Sequence, residues 1–67
     1  MVIKDVKKEL IKLEAFTDIA YDVITDDKNG NQAIMIVAND KRCILDPKEV
    51  RNATILHNNL RFYLGIS

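Results

Sequence analysis

The sequence has one cysteine, one proline, two glycines, no tryptophan and no net charge. Each shortage closes off a class of protein. A lone Cys43 forms no internal disulfide, so this is not a scaffold held together by disulfides, as many small secreted domains are. Ten basic residues balance ten acidic ones, which removes the broad electrostatic field that non-specific nucleic-acid or anionic-membrane binding draws on. No continuous apolar run reaches the length of a secretion signal or a membrane span. Together with the unpaired cysteine, this leads to the expectation of a cytoplasmic, reducing setting with no membrane contact. One histidine and one cysteine are too few for a zinc site, and two widely spaced glycines leave no loop to cradle a phosphate. No metal, cofactor or small-molecule substrate is expected.

What is present is enough to fold. A 67-residue chain with 48% hydrophobic and 30% charged residues has the composition of a globular protein rather than of a disordered one. No repeat, low-complexity tract or linker divides it, so residues 1–67 are read as a single small α+β domain. A domain that short buries a small share of its surface and is marginally stable, a weakness that self-association relieves. Its abundance of isoleucine, lysine and asparagine would suit an AT-rich phage, bacterial or archaeal genome.

Helical periodicity opens the chain. Val2, Ile3, Val6, Leu10, Leu13 and Phe16 share one arc at 100° per residue, and Lys4, Lys8 and Lys12 form a row on the opposite side. From Thr17 the period becomes two, with Ile19, Tyr21, Val23 and Thr25 alternating against Ala20, Asp22, Ile24 and Asp26. A second strand is read over 32–38, and Asn29-Gly30 between them is the dipeptide best suited to a two-residue type I′ turn. A calcium loop with Gly30 at its sixth position would place Thr25 first and Ile36 twelfth, where carboxylates are required. Asp27 and Asn29 alone make a weak oxygen pair, so the segment is read as a turn. Asn39-Asp40-Lys41 leads to a third strand over 42–45. Asp46, Pro47 and Glu49 then have the chemistry of an N-cap, a first helical residue and a capping box, which predicts a second helix from 47 to about 64, closed by Gly65, against a competing reading of "ATILH" and "LRFYL" as a hairpin turned at Asn58-Asn59.

The expected architecture is two-layer α-β-β-β-α, a three-stranded antiparallel meander with both helices on one face. A two-residue turn at Asn29-Gly30 would set Val23 opposite Ile36, Tyr21 opposite Ala38 and Thr25 opposite Ile34. The inner face is then Ile19, Tyr21, Val23, Ile34, Ile36, Ala38, Cys43 and Leu45. The outer face carries Ile24, Met35, Val37 and Ile44 among Asp22, Asp26 and Arg42, where a solvated sheet would normally alternate to polar residues. On the second helix, Val50, Ala53, Leu56, Leu60, Tyr63 and Leu64 form the main arc. Ile55 and Phe62 stack off it. Ile24, Met35, Val37, Ile44, Ile55 and Phe62 are therefore the candidate partner-binding residues.

Catalytic candidates are few. Cys43 and His57 could form a thiolate pair, but no third orienting group accompanies them, and each has a simpler reading as a core or core-edge residue. Asp18, Asp22 and Asp26 stand four apart, about 13 Å along a strand, beyond the separation of paired carboxylates in glycoside hydrolysis. No catalytic residue is assigned.

The element order and the stretch "KEVRNA", residues 48 to 53, are similar to the double-stranded-RNA-binding domain and the start of its second helix. That resemblance implies RNA contact through basic residues, here the Lys4, Lys8 and Lys12 row. Asp46-Pro47 stands where the family has adjacent basic residues, and a two-residue first turn would omit the loop that reaches the minor groove. The favoured expectation is a non-catalytic protein-binding module that self-associates, with a dimer preferred, and that serves as a small regulator or inhibitor of a larger protein.

Overall fold

The computed structural model describes residues 1–26 and 28–66. Helix α1 (Ile3–Glu14) is followed by strands β1 (Ile19–Thr25), β2 (Gln32–Ala38) and β3 (Lys41–Leu45), then helix α2 (Ala53–Leu64). The sheet is antiparallel in the order β1-β2-β3. This is the α-β-β-β-α order expected from the sequence. Both helices lie against one face. Val6 and Leu10 of α1 and Leu56, Leu60 and Leu64 of α2 are buried with Ile34, Ile36, Ala38 and Leu45 of the sheet. Ile19, Tyr21, Val23 and Cys43 complete that inner face and are half-buried.

The first hairpin differs from expectation in its turn. Val23 pairs with Ile34, Tyr21 with Ile36 and Ile19 with Ala38, a register two residues away from the one that a turn at Asn29-Gly30 would impose. The cause is Asp26. Its Oδ1 accepts the Lys28 amide at 2.9 Å and its Oδ2 accepts from Asn29 Nδ2 at 3.2 Å. Its carbonyl takes the Gly30 N–H at 2.7 Å, and its own N–H donates to Asn31 O at 2.8 Å. A short polar side chain that bonds its own backbone favours a longer loop over the tight one. Gly30 still supplies a left-handed corner, at φ 67°. A shift of two leaves every side chain on its predicted face. Asp27, part of the oxygen pair considered for a metal, lies outside the described residues.

The type I′ turn falls instead at the second hairpin. Asn39 and Asp40 have φ of 54° and 62°, and Ala38 pairs directly with Lys41, so two left-handed residues join the strands. Asn39 has a second task, since its Nδ2 donates to Leu64 O at 2.8 Å and so satisfies a carbonyl at the end of α2.

The second helix starts later than expected. Asp46 accepts the Lys48 amide on Oδ1 at 2.9 Å and the Glu49 amide on its carbonyl at 3.0 Å, which makes a turn and not a helix start. Asn52 is the N-cap, and its side chain accepts the Ile55 amide at 2.9 Å. Residues 46–52 give the chain room to leave β3 and cross back over the sheet, burying Val50 on the way. Gly65 ends α2 in the left-handed conformation, and the Ile66 amide reaches back to Leu60 O at 3.4 Å. Ile66 is buried at this closure, the apolar contact that often accompanies a C-terminal cap of this kind. At the other terminus α1 stops at Glu14, so Phe16 and Val2 fall outside the helix and are exposed, in contrast to the arc drawn from the sequence. Tyr63 is likewise exposed.

Candidate functional site

The outer face of the sheet is covered by neither helix. Its residues follow from the pleat: Ala20, Asp22 and Ile24 on β1, Ala33, Met35 and Val37 on β2, and Arg42 and Ile44 on β3. Pairing arranges them in rows across the strands, Ala20–Val37–Arg42 and Asp22–Met35–Ile44, with Ile24–Ala33 beyond. Ile44 is 62% exposed, Ile24 41% and Val37 38%, while Met35 at the centre is half-buried among its neighbours. Ala33 completes the patch. Alternation outward from Met35 points to it in the sequence, although a small residue attracts little notice there.

Charge brackets this apolar face unevenly. Asp22 lies on the β1 edge and Arg42 on the β3 edge. Both are exposed. Among the described residues the ion pairs are Lys12 with Glu9 and His57 with Glu9, and neither Asp22 nor Arg42 has an ionic partner there.

The other candidate residues lie elsewhere. Ile55 is half-buried against the core on the helix side. It lines a groove of about 560 Å³ between β3 and α2, together with Cys43, Glu49, Asn59 and Tyr63. Phe62 is 82% exposed, and its ring meets Tyr63 edge-on, with centroids 5.1 Å apart and planes at 85°. Ile55 and Phe62 thus belong to the helical layer, across the sheet from Ile24, Met35, Val37 and Ile44. The six residues form no single surface.

Cys43 faces the groove half-buried, and burial pushes its thiol above the usual cysteine value. That is the wrong direction for a nucleophile, which needs a stabilised thiolate. His57 is engaged elsewhere, with Nε2 3.3 Å from Glu9 Oε1. Glu9 also accepts from Lys12 Nζ at 2.9 Å, and these bonds, Lys12 first and His57 second, hold its carboxyl below the ordinary glutamate value. The lysine row is accordingly uneven. Lys4 and Lys8 are exposed, whereas Lys12 is tied to its own helix.

Two features of the RNA-binding resemblance change with the coordinates. Residues 48–52 precede α2 instead of opening it, so "KEVRNA" does not occupy the start of a helix. The first hairpin loop spans 26–31, longer than the two-residue turn expected. Among the described residues no group of histidine, cysteine and carboxylate side chains is arranged to hold a metal ion, and no helix is long and apolar enough to cross a membrane. No protein-family model, curated protein or solved structure matches this chain.

Proposed function

We propose that this chain is a non-catalytic protein-binding module that self-associates through the outer face of its sheet, centred on Met35 with Ile24, Val37 and Ile44. The observation that supports the reading is the placement of both helices on the inner face, which leaves apolar side chains on all three strands open to solvent. Burying such a contiguous apolar patch is favourable at roughly 25 cal/mol per Å² removed from water, and patches of this kind mark association surfaces. A short chain with a small core gains most from that added burial. In this reading the module acts as a small regulator or inhibitor of a larger protein in a reducing, cytoplasmic setting, where a free Cys43 persists. The test is sedimentation of the Met35→Asp variant, with its fold monitored by circular dichroism. A folded variant with weakened association supports the proposal. Loss of folding would assign Met35 to the core of the monomer, and unchanged association would remove the outer face from the interface.

A further inference from the structure

The arrangement of charge around the apolar face limits how a second copy can sit on it. We infer that two copies pack outer face to outer face, related by a two-fold axis parallel to β2, so that Arg42 of each lies over Ala20 of the other between Asp18 and Asp22. The inference rests on the self-association proposed above and goes further by fixing its geometry.

The register supplies the argument. Rotation about an axis along β2 maps each cross-strand row onto itself with its ends exchanged. Val37 and Met35 then face their own counterparts, and the apolar centre meets an apolar centre. At the edges, the Ala20–Val37–Arg42 row sets the long Arg42 side chain against the small Ala20 of the partner. Asp18 and Asp22 flank Ala20 by two residues each, roughly 6.6 Å along an extended chain, within reach of a guanidinium across sheets about 10 Å apart. Asp22 and Arg42, which have no ionic partner among the described residues, would each gain one.

The alternative two-fold axis lies in the sheet plane across the strands. It stacks β1 on β1, so that Asp18, Asp22 and Asp26 of the two copies confront one another, and like charges facing across an interface oppose association. That arrangement would bring Arg42 toward the partner's Asp46, but the Asp46 carboxylate is already turned back to the Lys48 amide at 2.9 Å. The favoured axis leaves an acidic approach at the far end of the strands, where Asp46 of each copy lies over Ile24 of the other between Asp22 and Asp26, although the Asp46 carboxylate is turned back to the Lys48 amide there as well. A face seven residues long and three strands wide covers only roughly 23 by 14 Å, less than the ~800 Å² per partner of a standard interface. The dimer should therefore dissociate on dilution, and a few charges suffice to choose its orientation.

Charge exchange tests this directly. Asp22→Arg and Arg42→Asp are made separately and examined by sedimentation and native mass spectrometry, alone and mixed in equal amounts, beside Met35→Asp. Each exchange alone sets like charges opposite one another in its homodimer and should weaken association by about tenfold or more. Mixing should restore a dimer containing one copy of each, because positions 22 and 42 then carry opposite charges across both contacts, and Asp18 meets a like charge at only one of them. If both single variants associate as the unaltered chain does while Met35→Asp abolishes association, the face remains the interface and the inferred orientation is overturned. If the unaltered chain is monomeric, or Met35→Asp has no effect, the self-association reading falls and the orientation with it. Asp22→Lys with Arg42→Glu repeats the exchange should either first variant fail to fold.

Discussion

Truncating two neighbours on β2 separates the two faces of the sheet. Ile36 is fully buried against both helices, whereas Val37, the next residue, looks outward and is 38% exposed. Ile36→Ala removes three carbons from a packed interior, and transfer plus cavity terms put its cost at about 2–5 kcal/mol. Val37→Ala removes two carbons that remain partly in water. At ~0.8 kcal/mol per fully buried carbon, discounted for exposure, its cost is about 1 kcal/mol or less. A chain this size has a total stability of roughly 3–10 kcal/mol, so the first change consumes a large share of it and the second does not. Equilibrium urea unfolding, at a concentration low enough that only monomer is present, reads the difference as a shift in midpoint at constant slope. A Val37→Ala cost equal to or above that of Ile36→Ala would refute the two-layer account, because it would mean that the outer face is packed within the monomer.

Two further outcomes follow from local structure. Asn52→Ala should destabilise by about 1 kcal/mol through loss of the bond from the Ile55 amide, and Asp46→Ala should cost less because its side chain holds only a turn; thermal unfolding of both variants would show the reverse order if α2 began at Pro47. Cys43 should react slowly with iodoacetamide at neutral pH in the folded state, because burial raises its thiol pKa and depletes the thiolate. A rate matching that of the urea-unfolded chain would contradict the packing described for β3.

The faces of the sheet were legible in the sequence because side chains alternate strictly, so an error of two in register moves no residue across the sheet. Ile24, Met35, Val37 and Ile44 therefore face outward in either register, whether the turn is the tight one at Asn29-Gly30 or the longer loop that forms. Turn geometry was less legible. Asn29-Gly30 and Asn39-Asp40 both have turn chemistry, and the choice between a tight and a longer loop was made by Asp26 bonding to the Lys28 amide and the Asn29 side chain. The start of α2 was ambiguous for a similar reason, since Asp46 and Asn52 can both cap and only the path of the chain from β3 across the sheet decides between them. Ile55 and Phe62 shared an arc on a helical wheel. With both helices expected on the inner face and Met35 on the outer one, the six candidate residues already divided into two apolar surfaces, and the coordinates keep them apart.

The most direct measurement is the solution mass of the unaltered chain across a concentration series. The account predicts a rise from 7.7 kDa toward twice that value as concentration increases, reversed on dilution. A mass that stays at the monomer value up to millimolar concentration would contradict it.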